Sequence, residues 1–221
     1  MLAIVLSGEA IFLLPFLVPR VFRPTLLDVY GITNLQLGTA FSLYGVVAML
    51  SYFPGGLLAD RFSVRKLMTS ALLVTSLGGA YFATIPSLSA LVFLYAFWGV
   101  TTILLFWAAL IRATREWGGD SSQGLAYGTL EGGRGLFAAI LALAGTVALA
   151  TLLPEDAASA TREHKIAALQ QIIWIYTFMT AAAAVLVWFS VPDSQAKRSG
   201  DSSEGRSRLE ITTVLKNPAV W

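Results

Sequence analysis

Three ionisable side chains sit inside apolar stretches of the sequence: Glu9, Glu131 and Arg134. At 100° per residue Tyr127, Glu131, Arg134 and Ala138 fall within about 60° of one another, so a phenol, a carboxylate and a guanidinium share one helical stripe. A guanidinium beside a carboxylate can contact an anionic or hydroxylated solute, with the carboxylate orienting it or exchanging a proton. The same spacing allows a plain i, i+3 ion pair that only neutralises both groups. Glu9, Phe16 and Arg20 share a second helix face; Glu9 reads either as a coupling or substrate-contacting carboxylate or as the partner of a charge elsewhere, such as Arg134. Arg20 and Arg23 read as interfacial anchors. The rings of Tyr44, Tyr52, Trp98, Phe106 and Trp107 suit either stacking on a solute or packing and anchoring. Beside the charged stripe, Gly124, Gly128 and Gly132 form a small-residue ridge, expected to let another helix approach closely.

Other chemistries lack their parts. The chain has no Cys and one His, His164, so no metal site or thiol nucleophile is expected. With no phosphate-binding Gly-Lys loop and no Ser-His-acid set, the sequence gives no reason to expect an enzyme or a cofactor.

The elements that must hold these groups follow from composition. Of 221 residues 56% are hydrophobic and 13% charged, with a mean hydropathy of +0.70. A soluble domain carries about 25% charged residues. Disorder and collagen are excluded, and 15 Lys and Arg against 13 Asp and Glu give no excess for nucleic-acid binding. A spanning helix needs about 20 mostly apolar residues. Six stretches qualify, at about 2–21, 37–58, 67–84, 88–111, 124–153 and 169–191. They do not alternate apolar with polar, so they read as helices rather than barrel strands. The fold class is therefore an all-α integral membrane protein, with six transmembrane helices forming one bundle over residues 1–192.

Basic residues set the orientation. Arg61, Arg65, Lys66, Arg112, Arg115, Lys197, Arg198, Arg206, Arg208 and Lys216 lie on one side, while Arg20, Arg23, Arg162 and Lys165 lie on the other. The richer side faces the cytoplasm, so both chain ends are placed inside and the protein in the cytoplasmic (inner) membrane. Residues 193–215 read as a cytoplasmic linker of Ser, Gly and charge. The last residues, 216–221, read as the start of a seventh helix, with a short amphipathic helix on the membrane surface as the alternative.

The loop after the second span, GGLLADRFSVRKLM, resembles the signature loop of the major facilitator superfamily at Gly56, Leu58, Ala59, Asp60, Arg61, Arg65 and Lys66. Ser63 stands where the pattern has a second Gly, and Val64 where it often has a basic residue. The resemblance implies that Gly56, Asp60, Arg61, Arg65 and Lys66 form a gating loop, in which the Asp contacts the other half of a transporter and helps hold one access state. A bare topology signal is the simpler alternative. The resemblance further implies the N-terminal half of a secondary transporter. Such a half would move a small organic solute, an organic anion or sugar-like, by alternating access, with a C-terminal six-helix half as partner and a proton or counter-anion for coupling. Gly38 to Asp60 and SSQG (Ser121 to Gly124) are similar to the organophosphate and organic-anion antiporter branch, yet that branch's phosphate-binding Arg would fall near Ser7, which carries no charge. A self-contained six-helix scaffold or channel acting as a homodimer is the alternative from a different class.

Overall fold

The computed structural model describes residues 1–154 and 161–193. The expected linker beyond Asp193 and the expected seventh-helix start at 216–221 lie outside them. The described elements are all helical: α1 (Leu2–Ala10), a π-helical turn (Leu13–Leu17), α2 (Val18–Val21), α3 (Arg23–Tyr30), α4 (Asn34–Arg61), α5 (Val64–Phe82), α6 (Leu88–Gly99), a second π-helical stretch (Val100–Trp107), α7 (Ala108–Gly118), α8 (Gln123–Leu152) and α9 (Arg162–Ser190).

Four of the expected spans are helices long and apolar enough to cross a membrane: Asn34–Arg61, Leu88–Gly118, Gln123–Leu152 and Arg162–Ser190. The first expected span is bent by 46° between Leu2–Ala10 and Leu13–Val21, and makes a fifth if taken as one crossing. The expected span at 67–84 is α5, 19 residues long. It begins with Arg65 and Lys66 and carries Thr69, Ser70, Thr75 and Ser76, so apolar length alone supports five crossings rather than six. Two connections also carry helix. Residues 23–34, between the first two expected spans, contain α3, which starts with Pro24 in its first turn and ends at Gly31 with a left-handed φ of 62°. The last span starts at Arg162, earlier than expected, because the Thr161 hydroxyl caps the His164 amide and Glu163 sits in the first turn.

The breaks in the first and fourth spans have local causes. Pro15 has no amide hydrogen and its ring crowds the carbonyl four residues back, at Ile11. The chain answers with wider bonds, Leu17 N donating to Phe12 O at 3.2 Å, and the Thr180 hydroxyl of α9 donates to the Ala10 carbonyl at 3.0 Å. In the fourth span the Thr102 hydroxyl takes the Trp98 carbonyl at 2.6 Å, the acceptor its own amide would use in an α-helix, and the ladder widens.

Packing closes the bundle. α5 lies along α9, α4 along α6 and the second π stretch, and α1 between α8 and α9. Ile11, Leu14, Phe82, Tyr95 and Trp98 are fully buried, while Phe53, Leu77, Phe93, Leu143, Phe178 and Phe189 project outward. Water would penalise that outer surface; hydrocarbon does not.

Among the described residues the ridge of Gly124, Gly128 and Gly132 meets no neighbouring helix. A Cβ added at Gly124, Gly128 or Gly132 meets nothing within 4 Å among the described residues. Close approach occurs instead at Gly133, against Val5 of α1, and at Gly145, against Tyr176 and Phe22. One residue of register is 100° of helix face, so four-residue spacing could not say which ridge meets a neighbour inside the bundle.

Candidate functional site

Both π-helical stretches face one cavity. Widening the first span presents Phe12 and Phe16, and widening the fourth presents Ile103 and Trp107. α4 adds Tyr44, Ala48 and Tyr52; α8 adds Glu131, Arg134 and Ala138. The cavity, open on one side, has a volume of about 530 Å³, enough for a small organic molecule. A comparable cavity of about 540 Å³ opens among Leu2, Leu6, Trp117, Leu186 and Pro192, but among the described residues Glu116 is the only acidic or basic side chain lining it. The charged chemistry lies in the first.

Inside it Arg134 sits between two carboxylates. Its Nη1 donates to Glu131 at 3.0 and 3.2 Å, and its Nε is 3.6 Å from Glu9. That last separation is too long for a hydrogen bond, and Nε is buried without one. Arg134 and Glu9 side chains are 14% and 12% exposed, Glu131 61%. The guanidinium also stands over the rings of Phe12 and Trp107, at 5.4 and 5.5 Å, which meet edge to face. Its stem crosses α1 at Gly8, where a Cβ would lie 3.0 Å from Arg134 Cδ. Only glycine leaves that passage clear.

Of the residues singled out for chemistry, Glu9, Glu131 and Arg134 therefore come together, with Arg20 at the cavity wall. Tyr127 does not. One turn nearer the start of α8, its hydroxyl points to the Ile111 carbonyl at 3.5 Å and lies outside the cavity lining. Trp98 and Phe106 are buried in the core, whereas Tyr44, Tyr52 and Trp107 reach the cavity. Ser7 is fully buried and its hydroxyl donates to Ile4 O at 3.1 Å, so it offers nothing to a ligand. Gly8 and Phe12 were not legible as site residues, because neither carries charge and both fall within an apolar run.

At the far end of α4 the signature loop is tied down by residues outside it. The Ser63 hydroxyl donates to one oxygen of Asp193 and Arg65 Nη2 donates to the other at 2.8 Å. Arg65 also stands 4.9 Å over the Trp188 ring. The Ser63 hydrogen bond, with Arg65 beside it, holds the Asp193 carboxyl below its usual range. Arg112, at the end of the fourth span, donates to Ala59 O at 2.5 Å and pairs with Glu116 at 2.7 Å. Asp60, Arg61 and Lys66 remain exposed, and Gly56 has open space around it. Among the described residues Asp60 makes no ion pair. On the opposite end Lys165 pairs with Asp28 at 2.7 Å, fastening α3 to α9, and that hydrogen bond holds the Asp28 carboxyl down.

Known proteins give the arrangement its family. The chain is 33% identical to inner membrane protein YqcE of Escherichia coli K12 over 86% of its own length and 43% of that protein. It is 27% identical to inner membrane protein YihN of the same organism, over 98% of this chain and 49% of the relative. The chain thus spans about half the length of the curated relatives it matches. No solved structure matches. The family model of the Major Facilitator Superfamily matches residues 2–221, the whole helical bundle included. Apolar helices packed around a charged cavity, the signature loop and this match agree: the chain belongs to the major facilitator superfamily of membrane transporters.

Proposed function

We propose that the chain is the N-terminal half of a secondary transporter that moves a small organic solute across the cytoplasmic membrane by alternating access. In this reading α5 completes six crossings, both ends of the chain face the cytoplasm, and a C-terminal half closes the open side of the cavity. Arg134 contacts the solute, and Glu9 and Glu131 compensate its charge and carry the coupling. The observation that carries the reading is Arg134 itself: a guanidinium inside the bundle with Nε buried and unbonded, aimed into a cavity with aromatic walls. A charge at that depth costs roughly 2.5–3.5 kcal/mol on insertion scales, which a merely decorative pair has no reason to incur. Relatives twice as long support the missing half.

The signature loop serves the same cycle: Asp60, exposed here, docks on the other half in one access state, while Arg61 and Lys66 face the cytoplasm. The test is uptake and counterflow in vesicles by the full-length protein, with a panel of organic anions and sugars. Arg134→Ala is expected to abolish transport of any anionic substrate, while Glu131→Gln alters its apparent affinity. Unchanged transport in both variants reduces the pair to structural glue.

A further inference from the structure

Arg134 is approached from few directions. Its stem passes close to Gly8, and Phe12 and Trp107 form an aromatic corner beside its head. Of the two carboxylates beside it, Glu131 is the one within hydrogen-bond distance, with both oxygens near Nη1, while Glu9 stands 3.6 Å from Nε. Glu131 is the loosely held member of the cluster: its side chain is 61% exposed, against 12% for Glu9. A side chain so exposed can leave Arg134 for water at small cost, because an exposed i, i+3 pair contributes only a few tenths of a kcal/mol. The buried Arg134 cannot follow it.

We infer that Glu131 is an internal stand-in for the substrate, occupying the Arg134 anion position until a substrate carboxylate displaces it, and that the substrate class is a monocarboxylate with an apolar or aromatic body. This rests on the proposed reading of Arg134 as the solute contact. An incoming carboxylate replaces like with like, so the guanidinium is never left unpaired during the exchange. Charge limits the ligand to one negative charge. Glu9, Glu131, Arg134 and Arg20 bring the cavity near neutrality, a monoanion makes it singly negative, and a dianion would add a second uncompensated charge. A neutral sugar has no charge with which to compete against Glu131. The walls select the body: Phe16, Ala48, Ile103 and Trp107 offer rings and methyl groups, the Tyr44 hydroxyl is already engaged with Thr102 at 2.8 Å, and Tyr52 adds one further, exposed hydroxyl.

The experiment is calorimetric titration of the full-length purified protein with benzoate, alongside benzenesulfonate and benzyl alcohol. Glu131→Ala removes the competitor, so its benzoate Kd is expected to fall about two- to threefold, as when a larger fraction of sites is binding-competent. Glu9→Gln removes the same charge without freeing Nη1, and its effect is expected to be smaller than that of Glu131→Ala. Arg134→Ala is expected to lose benzoate binding, and benzyl alcohol binding is expected to ignore all three substitutions. Thermal melting of Glu131→Ala and of the milder Glu131→Gln separates misfolding from a binding effect. Benzoate binding that is weakened or unchanged in folded Glu131→Ala, but lost in Arg134→Ala, overturns the stand-in role and leaves the Arg134 reading intact. Full binding in Arg134→Ala overturns both. Benzenesulfonate binding tighter than benzoate, or no benzoate binding by wild type and Glu131→Ala alike, overturns the carboxylate class.

Discussion

Two clusters in this molecule use the same parts in different surroundings. In the cavity Arg134 lies over Phe12 and Trp107 and faces Glu9 and Glu131; at the cytoplasmic end of the proposed topology Arg65 lies over Trp188 and faces Asp193. The exposed cluster is closed. Both oxygens of Asp193 accept a hydrogen bond, and Arg65 reaches it at 2.8 Å. Nε is buried and unbonded in both arginines, but in the cavity Glu9 stands 3.6 Å from Arg134, too far to accept from it. If both clusters existed to stabilise the fold, the buried carboxylate should be the better satisfied, because an unmet buried polar group costs about 1–3 kcal/mol. The reverse holds: Asp193 accepts from both Ser63 and Arg65, and Glu9 accepts nothing from Arg134. The loop cluster is built as a fastening, and the cavity cluster is left with a carboxylate that does not close on its arginine.

The largest effect that follows from this contrast is on transport. Arg134→Ala in the cavity is expected to abolish uptake of anionic substrate, whereas Arg65→Ala at the loop is expected only to slow it, with the apparent KM unchanged; vesicle uptake measured across substrate concentrations separates the two. Equal losses in both variants would erase the functional distinction between the clusters.

A smaller effect tests how Arg134 is held. Gly8→Ala puts a methyl group 3.0 Å from Arg134 Cδ, and the long stem must yield. Overpacking a tight site costs about 1–3 kcal/mol, but here the crowded neighbour is flexible, so melting should fall by the low end of that range or less. The displaced guanidinium should instead show as a raised KM. A large drop in melting temperature with normal KM in the surviving protein would mean that Gly8 serves helix packing and not the site.

How much of this was readable beforehand differs between the two clusters for a physical reason. A buried charge announces itself in an apolar run, so Glu9, Glu131 and Arg134 stood out, as did the helical stripe that joins Glu131 to Arg134. Their meeting with Glu9 depended on how α1 crosses α8, which helix periodicity does not encode. For the same reason spacing alone does not show that Tyr127 lies one turn off the cavity, or that within the bundle the close contacts fall at Gly133 and Gly145. At the loop the motif marked Asp60 and Arg65, yet Asp193 and Trp188 lie more than a hundred residues away in sequence and carry no local signal. Ser63, where the family pattern has glycine, is the residue whose hydroxyl makes the second bond to Asp193. The six-span count was drawn from hydropathy alone, and the polar first turn and threonines of α5 lie at the limit of what that measure resolves.

Asp60 provides the next test. It belongs to the loop cluster by sequence and stands apart from it in space, exposed and without an ion pair among the described residues. Asp60→Asn is therefore expected to leave melting of the protein nearly unchanged, because surface substitutions usually stay within about ±0.5 kcal/mol. Transport should slow without a change in selectivity, since the proposed contact forms only in one access state. Unaltered rates across the substrate panel would leave the loop with a topological role alone.

The smallest effect concerns pH. Hydrogen bonding from Ser63, with Arg65 beside it, holds Asp193 below its usual range. A carboxyl depressed in the folded state contributes stability that is present above its unfolded value, near about 3.9, and is lost as pH falls through the folded one. Asp193→Asn should therefore lower the melting temperature slightly and equally at pH 7 and pH 5. The difference between variant and wild type should shrink only in strong acid, as the native carboxylate takes up its proton. Asp28, held down by Lys165 on the other face, gives a matching control, because Asp28→Asn should follow the same acid profile without altering transport. A difference for Asp193 that already vanishes between pH 7 and pH 5 would mean that the Ser63 and Arg65 bonds do not hold the carboxylate in solution, and the fastening would lose its electrostatic basis.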